Sequence, residues 1–478
     1  MKVNMKTYLV VGLGVSGQSV VDVLRAQGMR VETADDKKPA DYTLADLARE
    51  DCDYSSFDCI ITSPGFKPTT DFVLRAGQAG VPVISDVELA WQMHNSMDMA
   101  EHQQWIGITG TNGKTTTTEM TEAIMRAAGR KSAAVGNIGN AIVPAIASQS
   151  LDTIVAELSS FQLHYTHSVE LECAAITNLA DDHLDWHGGF EQYAADKAKI
   201  YAGVRTAMIY NADDARVTTL AENAYAQRKV VSCQLIGFTL NKPLPGQIGV
   251  EDGWILNRSS LDTPDEKLAP VASFTHLTEP DGSVYPHLLA DALCALCLSL
   301  AAGAPVDEAL KALQSFAPSG HRIQTVATAH TGNGDIRFVD DSKATNAHAA
   351  AASLSSYAPH CVVWIAGGLA KGAEFDSLVR NHHDVMKAAV IIGRNQQPML
   401  QAFKQYAPQI PLTVIDPDSA ETTPIMQQAV EAAAQYAQPG DVVLMAPACA
   451  SMDQFVSYAD RGEQFAHYAQ EWVSGHGE

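Results

Sequence analysis

The chain has 478 residues and a net charge of −23, with 46% hydrophobic and 18% charged residues. This length exceeds what one hydrophobic core holds, so we expect about three domains of ordinary globular composition. The acidic balance excludes general binding to nucleic acid or to an acidic membrane, since both need a basic face. We expect no targeting segment, no membrane insertion, and reduced cysteines in a cytoplasmic protein.

The first segment carries a glycine-rich nucleotide pattern. A strand at 7–11 leads into G-L-G-V-S-G (Gly12–Gly17), and a helix and a second strand follow, ending at Asp35 and Asp36. This order is typical of a Rossmann-like half-fold, in which NAD, a uridine nucleotide or an adenosine nucleotide could occupy the turn. A third strand ends in S-P-G at 63–65, where open α/β sheets bind ligands. We place the first linker at His94–Gln104.

A phosphate-binding loop opens the second segment, at I-G-I-T-G-T-N-G-K-T-T-T-T (Ile106–Thr118). A strand enters a Gly/Thr/Asn turn, and a helix begins at Lys114–Thr115. Backbone N–H groups at a helix start, together with the helix dipole, favour an anion. Gly110 and Gly113 let the backbone approach it, Lys114 adds positive charge, and the Thr115 hydroxyl can bind magnesium. The first glycine of the Walker-A pattern is absent, but the other features predict a nucleoside triphosphate with its metal.

Two further strands in this segment end in candidate ligands. The strand at 153–158 carries Glu157, and a carboxylate at the end of a buried apolar strand is costly unless it is paired or bound to metal. We therefore predict a magnesium ligand at Glu157, with a surface-facing strand end as the alternative. The next strand leads into N-L-A-D-D-H-L-D-W-H (Asn178–His187). Metal or substrate binding by His183 and a solvated acidic loop both remain open.

The rest of the second segment shows few sequence features that point to a function. A helix at Phe190–Tyr201 contains Lys197 and Lys199, which look like ordinary solvated lysines. Short alternating pieces at 234–285 predict a small irregular β region, and two helices follow. Cys294 and Cys297 form C-x-x-C inside the first of these helices, where an apolar surrounding argues against zinc or redox chemistry.

The third segment begins near residue 318 and alternates strands with helices, which predicts a mostly parallel sheet. Three loops follow its strands: D-D-S-K-A-T-N (340–346), the glycine turn at 367–368 with Lys371, and P-A-C-A-S (447–451). Every one lies at the carboxyl end of a strand. For each loop taken singly, a helix cap or a turn is the alternative, and this alternative is strongest for Ser451.

Six motifs taken together resemble those of the Mur ligases: G-T-N-G-K-T-T, E-L-S-S-F-Q-L, T-N-L-x-x-D-H-L-D, G-H-R, D-D-S-K-A-T-N and P-A-C-A-S-x-D-Q-F. Mur ligases are ATP-dependent enzymes that add amino acids to UDP-N-acetylmuramic acid in peptidoglycan synthesis. The resemblance runs from about Tyr8 to about Phe465. The motifs at the two ends are most similar to the branch that joins D-glutamate to UDP-N-acetylmuramoyl-L-alanine.

The resemblance implies three α/β domains. Residues 1–102 would form a Rossmann-like UDP-binding domain, residues 103–318 a central P-loop-type ATP-binding domain, and residues 319–478 a Rossmann-like amino-acid-binding domain. It also implies a reaction through an acyl-phosphate and a protein that acts as a monomer, without nucleic acid.

The resemblance also implies roles at matching positions. The ATP set is Gly110, Thr111, Asn112, Gly113, Lys114, Thr115, Thr116, Asp291, Arg322 and Asp341. The UDP-substrate set is Val15, Ser16, Asp35, Asp36, Ser63, Pro64, Gly65, Asn137 and Gln162. The D-glutamate set is Lys343, Thr345, Lys371, Ser451 and Tyr458. Two magnesium ions are implied, one on Thr115 and Glu157 and one on His183 and a carbamylated Lys197. The catalytic set is Lys114, His183, Lys197 and Lys343.

The sequence departs from the family pattern at two places. The central helix usually opens H-N-x-x-N but reads H-L-L-A-D here (His287–Asp291), and Asp291 can only accept hydrogen bonds where asparagine also donates. Tyr458 stands where phenylalanine is expected. Two rival functions are an NAD-dependent oxidoreductase, which would use only Gly12–Gly17 and Asp35, and a nucleotide-gated regulatory protein that binds ATP without turnover.

Overall fold

The computed structural model describes residues 6–97, 103–261, 266–277, 284–317, 320–421 and 423–476. The chain divides into two compact units. The first comprises residues 1–277 and 288–316, and the second comprises residues 278–287 and 317–478. Within the described residues, the first unit contains two sheets and the second contains one.

The N-terminal sheet has four parallel strands in the order β2-β1-β3-β4. Val11 pairs with both Ala34 and Thr62, so the carboxyl ends of three strands lie at one edge. The turn at Gly12, the acids after β2 and the S-P-G loop therefore share that edge. The elements are β1 (Thr7–Val11), α1 (Val15–Ala26), β2 (Arg30–Ala34), α2 (Leu44–Leu47), β3 (Cys59–Thr62), α3 (Asp71–Gln78), β4 (Val83–Ile84) and α4 (Asp86–Asn95).

The linker predicted at His94–Gln104 is wrong at both ends, and its residues 98–102 lie outside the described residues. His94 lies in α4 and is buried, stacked on Trp91 and beside Trp105. Gln104 begins the next strand. The last residues of α4 look polar in sequence, but the helix continues through them because these aromatic rings pack together.

The central sheet has nine strands in the order β13-β12-β11-β10-β9-β8-β5-β7-β6. Strands β5 to β11 pair in parallel, whereas β12 and β13 form an antiparallel edge where the irregular β region was predicted. The strands are β5 (Gln104–Thr109), β6 (Ser132–Gly136), β7 (Thr153–Glu157), β8 (Cys173–Ile176), β9 (Ala207–Asn211), β10 (Gln234–Phe238), β11 (Gln247–Glu251), β12 (Trp254–Asn257) and β13 (Glu266–Pro270). The helices are α5 (Lys114–Ala127), α6 (Ile142–Ala147), α7 (Ser160–His164), α8 (Leu184–His187), α9 (Phe190–Ala198), α10 (Ala215–Ala226), α11 (Pro286–Ala301) and α12 (Val306–Ser315).

The central strand β5 lies between β7 and β8 and is apolar on both faces. Parallel pairing places the ends of β5, β7 and β8 at one edge, so the loops that follow them are neighbours. These loops contain the phosphate loop, Glu157 and the acidic segment. Cys294 and Cys297 are buried in α11 as free thiols, and all eight cysteines are free.

The C-terminal sheet has six strands in the order β14-β15-β19-β16-β17-β18, all parallel except β14. The strands are β14 (Gln324–Thr331), β15 (Gly334–Asp340), β16 (Val362–Gly367), β17 (Met386–Ile392), β18 (Leu412–Val414) and β19 (Val442–Met445). The helices are α13 (Ala347–Leu354), α14 (Asp376–His382), α15 (Gln397–Tyr406), α16 (Ile425–Tyr436) and α17 (Tyr458–His476). Residues 451–456 form turns and bends, and α17 begins at Tyr458, so the helix cap at Ser451 is wrong and the alternative of a turn is confirmed.

The α/β fold class predicted from the sequence is confirmed, with sheets that are mostly parallel. Among the helices of the described residues, none has the length and apolar character needed to cross a membrane.

Candidate active site

The phosphate loop adopts a backbone that needs its glycines. Gly110 and Gly113 have φ values of +153° and +79°, and Gly113 caps the first turn of α5. A Cβ atom on Gly110 would lie 1.9 Å from Thr177 Oγ1. One on Gly113 would lie 2.1 Å from Asp291 Oδ1. Neighbouring side chains therefore fill the space that any larger residue would need, and Asp291 is placed against the start of α5.

The loop that follows β8 braces the phosphate loop. Asn112 N–H donates to Asn178 Oδ1 over 2.9 Å, and the Thr177 hydroxyl donates to the Asn112 carbonyl over 2.6 Å. The Thr111 hydroxyl lies 2.9 Å from the Tyr193 hydroxyl. The T-N-L motif thus fixes the position of the loop, and the Asn112 and Thr111 groups in these bonds already have protein partners.

Lys114 lies over the loop that it follows. Its Nζ donates to the carbonyls of Gly110 and Thr111 over 3.0 and 2.8 Å. Thr115 is half-buried in the first turn of α5, and Thr116 is fully buried. A cation and a hydroxyl therefore stand at the helix start, where an anion is favoured.

Glu157 is a buried carboxylate with one satisfied oxygen. Only 1% of the residue is exposed, which shows that the surface-facing alternative is wrong. Asn137 Nδ2 donates to Oε1 over 2.8 Å, whereas Oε2 is buried without a hydrogen-bond partner among the described residues. An orphaned anionic oxygen fits a cation, and magnesium prefers oxygen ligands. The described residues contain no group of three or more His, Cys, Asp or Glu arranged for a metal, so other ligand types would have to complete the site.

Lys197 is buried, and the expectation of a solvated lysine is wrong. Its Nζ donates to Gly110 O over 2.7 Å and lies 4.8 Å from the centre of the Tyr193 ring. Burial, followed by the charge of Lys114, lowers the pKa of Lys197 well below its ordinary value. A neutral amine is the form that reacts with carbon dioxide to give a carbamate. Lys199 also has partners, since its Nζ lies 3.0 Å from Asp196 Oδ1.

His183 is the accessible member of this group. It has a left-handed backbone, with φ of +52°, at the start of α8, and its side chain is 40% exposed. Its Nε2 lies 3.6 Å from Asp182 Oδ2, and its ring packs edge-on against Phe161 at 4.8 Å. The imidazole is therefore accessible to a ligand.

At the N-terminal sheet edge, the two acids brace the backbone. Asp35 Oδ2 accepts from Leu13 N–H over 2.6 Å, and Oδ1 accepts from Lys37 N–H over 2.7 Å. These bonds lower the pKa of Asp35, the Leu13 bond most strongly. Asp36 accepts from Leu44 N–H. Both acids thus shape the glycine turn and the loop after β2.

The S-P-G loop reaches the central domain. Gly65 O accepts from Trp186 Nε1 over 3.2 Å, and Lys67 Nζ lies 3.3 Å from Asp185 Oδ2. Ser63 and Pro64 precede these contacts in the same loop. The predicted uridine loop is thus tied to the segment that carries His183.

Gln162 and Asp86 form a second link between these two domains. Gln162 Nε2 donates to Asp86 Oδ1 over 3.1 Å, and its Oε1 accepts from Ser159. Both ends of this amide have protein partners. Ser16 also hydrogen-bonds Asp86, while Val15 beside it is largely exposed.

In the second unit, two predicted D-glutamate residues touch. Lys343 Nζ lies 4.0 Å from the centre of the Tyr458 ring, which is a cation–π distance. Thr345 is half-buried, Lys371 is exposed with φ of +51°, and Ser451 is buried.

Arg461 was missed by sequence reasoning. Its buried guanidinium donates to Ser342 Oγ, to Ser342 O and to Cys449 O over 2.9, 2.9 and 3.1 Å. Burial lowers its pKa to about 10. It therefore holds together the two loops that carry Lys343 and Ser451. Nothing in the pattern of α17 marks an arginine that points inward.

Asp341 and Arg322, predicted for ATP, also belong to the second unit. Burial raises the pKa of Asp341 to about 7, against the lowering effects of the Ser353 hydroxyl and Arg322. The same arginine adds to burial in lowering the pKa of His287 to about 4. Burial thus brings the pKa of Asp341 near neutrality, and such perturbed groups are common at functional sites.

Comparison with known protein families gives three matches along the chain. A MurD-like N-terminal domain of Mur ligases matches residues 6–85, the Mur ligase middle domain matches 108–241, and the Mur ligase glutamate ligase domain matches 321–449.

Curated relatives match over nearly their whole length. The UDP-N-acetylmuramoylalanine–D-glutamate ligase of Bifidobacterium adolescentis is 58% identical, covering 100% of this chain and 99% of its own. The protein of the same name from Streptomyces coelicolor is 41% identical, with 98% of each chain covered.

Solved structures share the fold at low identity. UDP-N-acetylmuramate-alanine ligase from Thermotoga maritima has a TM-score of 0.56 at 15% identity, covering 99% of this chain and 100% of its own. MurF ligase from the same organism, in complex with ADP, also has a TM-score of 0.56, at 16% identity, covering 99% and 96%.

Proposed function

Because the chain belongs to the Mur ligase family, we propose that it joins D-glutamate to UDP-N-acetylmuramoyl-L-alanine at the expense of ATP. The observation that carries this proposal is 58% identity, over the full chain, to an enzyme named for that reaction. The buried Lys197 and Glu157 beside a glycine-dependent phosphate loop support it. The family resemblance predicted from the motifs is thereby confirmed.

In the proposed reaction, the alanyl carboxylate attacks the γ-phosphorus of ATP, the bond to ADP breaks, and an acyl-phosphate forms. The amine of D-glutamate then attacks the acyl carbon, loses a proton, and expels phosphate to leave an amide. Lys114 offsets the charge that spreads over the transferred phosphoryl group. Its present carbonyl partners are weak acceptors compared with a phosphate, so it can turn towards the nucleotide.

The residues around the phosphate loop fit magnesium. Thr115 and Glu157 would hold one ion, and His183 with a carbamylated Lys197 would hold a second. Carbamylation would turn the buried amine of Lys197 into an oxygen ligand, and its lowered pKa favours that chemistry. Magnesium, when bound, offsets phosphate charge.

The other predicted sets complete the proposal. The uridine end of the substrate would lie at Val15–Ser16, at the acids after β2 and at the S-P-G loop, with Asn137 and Gln162 nearer the sugar. D-glutamate would lie among Lys343, Thr345, Lys371, Ser451 and Tyr458. Arg322, Asp341 and Asp291 would contact the nucleotide. We propose a monomeric, cytoplasmic enzyme with the domain boundaries predicted from the sequence.

Phosphate release from ATP, measured with UDP-N-acetylmuramoyl-L-alanine and a panel of amino acids, tests this function. We expect turnover that requires D-glutamate. ATP binding without amino-acid-dependent turnover would favour the regulatory alternative. A change in 340 nm absorbance with NAD(H) would favour the oxidoreductase.

A further inference from the structure

A buried hydrogen-bond chain links a serine, a histidine and an aspartate behind the candidate metal ligands. His187 Nδ1 lies 2.9 Å from Asp196 Oδ2, and His187 Nε2 lies 3.0 Å from Ser160 Oγ. Since a carboxylate only accepts, Nδ1 carries a proton and donates to Asp196. Both ring nitrogens of His187 are therefore committed to protein partners.

This order of groups resembles a hydrolytic triad, but its burial excludes that function. Ser160 is 3% exposed, and the side chains of His187 and Asp196 are completely buried. A substrate carbonyl cannot reach the serine oxygen. The hydrogen-bond chain therefore holds elements together rather than attacking a substrate.

Each member lies close in sequence to one proposed metal ligand. Ser160 begins α7 directly after the strand end that carries Glu157. His187 ends α8, the helix that His183 caps. Asp196 immediately precedes Lys197 on α9. The hydrogen-bond chain thus connects α8, which His183 caps, and α9, which carries Lys197, to α7, which begins three residues after Glu157.

Further contacts make the arrangement rigid. Asp196 also accepts from His164 Nδ1 over 2.8 Å and from Lys199. A buried carboxylate that accepts from His164, His187 and Lys199 holds these three side chains in fixed orientations. The Phe161 ring stacks on His187 and also contacts His183.

We infer that His187 is a positioning residue that sets the mutual geometry of Glu157, His183 and Lys197. The inference rests on the proposed metal ligands. Loss of a residue that orients metal ligands typically weakens metal binding by 10- to 100-fold. The effect of altering His187 should therefore appear in metal affinity and turnover, and much less in the KM for ATP.

The test uses His187→Phe in the full chain, since phenylalanine keeps the ring stacked on Phe161 but makes neither hydrogen bond. Binding of Mn²⁺ with ADP present is followed through the EPR signal of the free ion. We expect the Mn²⁺ dissociation constant to rise at least about tenfold and kcat to fall by a similar factor.

His94→Phe is the matched control. His94 is also buried, stacks on Trp91 at 4.9 Å, and makes a 3.0 Å bond to Gln103. None of these partners is a proposed ligand. We expect this variant to lose thermal stability and keep its Mn²⁺ affinity, so an equal response of both variants would overturn the inference.

Two further variants keep the test decisive. If His187→Phe does not fold, Ser160→Ala removes only the hydroxyl at the end of the hydrogen-bond chain, and unchanged Mn²⁺ affinity in that variant would overturn the inference. Glu157→Gln tests the metal site itself. If it binds Mn²⁺ as the parent does, the proposed ligands fail. If it loses Mn²⁺ while His187→Phe does not, only the role of His187 fails.

Discussion

Asn137 donates a 2.8 Å hydrogen bond to one carboxylate oxygen of Glu157 and leaves the other buried oxygen without a partner among the described residues. Leaving a buried charged acceptor unsatisfied costs more than leaving a neutral one. Asn137 also turns the carboxylate, because its amide can donate to only one oxygen at this distance. The free oxygen is the position at which a cation would relieve the cost.

Glu157→Gln should therefore separate folding from function. Glutamine has nearly the same shape and removes the buried charge, so we expect thermal stability that is equal or higher. Turnover should fall by about 100-fold or more, because a ligand to the metal that offsets phosphate charge is lost. Glu191→Gln, at an exposed position on α9, is the control and should leave turnover unchanged. Normal turnover in Glu157→Gln would refute the assignment.

Lys114 is expected to act on the transition state more than on bound ATP. Its charge lies at the loop where phosphate charge spreads during transfer. Lys114→Ala should lower kcat by at least about 100-fold, or roughly 3 kcal/mol, with a smaller change in the KM for ATP. Lys131→Ala, exposed in the same domain, is the control. Phosphate release measures both, and unchanged kcat in folded Lys114→Ala would contradict the phosphate-loop assignment.

Lys197→Ala should be almost inactive if a carbamate forms there. Acetate or formate should restore part of the activity, since a small carboxylate can supply the missing oxygens in the space left by the side chain. Lys199 is a poor control because it binds Asp196, so we choose the exposed Lys131 again. ¹³C NMR after exposure to labelled bicarbonate should show a carbamate signal in the parent only. A parent without that signal, or a variant without rescue, would contradict carbamylation.

The sequence predicts the phosphate loop and the burial of Glu157 because both depend on nearby residues. The glycines act through local backbone geometry, and the strand before Glu157 is apolar throughout. Lys197 differs, because its burial depends on how α9 packs beside β5 and the Gly110 carbonyl, 87 residues away in sequence. The sequence pattern of α9 therefore does not predict that contact.

Arg461 was missed for the same reason. Its acceptors on Ser342 lie 119 residues away, and only the folded sheet brings the two loops to one helix.

The prediction for Ser451 was wrong for a different reason. A serine after a strand is a common helix cap, but six residues, 452–457, lie between Ser451 and the start of α17. Local patterns therefore locate the loops, whereas long-range packing decides which side chains enter them.

Asp341 should make stability depend on pH. Its pKa is about 7 in the folded protein against 3.8 ordinarily, so the folded state binds more protons between these values. The contribution of the neutral carboxyl group to the free energy of unfolding is fully present below about pH 4. It is lost as pH rises through about 7, and this free energy falls by roughly 4 kcal/mol at most. Asp341→Asn stays neutral, so it should raise Tm at pH 8 much more than at pH 4. Equal shifts at both pH values would contradict this.

Lys371 should decide which amino acid is accepted. It is exposed after the Gly367–Gly368 turn, and Ser451 is buried in the same unit, so they offer a charge and a hydroxyl. D-glutamate has two carboxylates, whereas alanine would leave the lysine without a charged partner. A charged hydrogen bond contributes about 1.5–3 kcal/mol, and exposure favours the lower end, which corresponds to about a tenfold preference.

Lys371→Ala should therefore raise the KM for D-glutamate about tenfold and leave the KM for ATP nearly unchanged. Lys404→Ala, exposed on α15, is the control and should change neither constant. Because Ser451 lies in a turn and not at a helix start, we expect its hydroxyl to bind a carboxylate without help from a helix dipole, so Ser451→Ala should also act on D-glutamate alone. If L-alanine or diaminopimelate is the preferred acceptor, the chain belongs to a different branch of the Mur ligases, while the proposed ATP chemistry is unaffected.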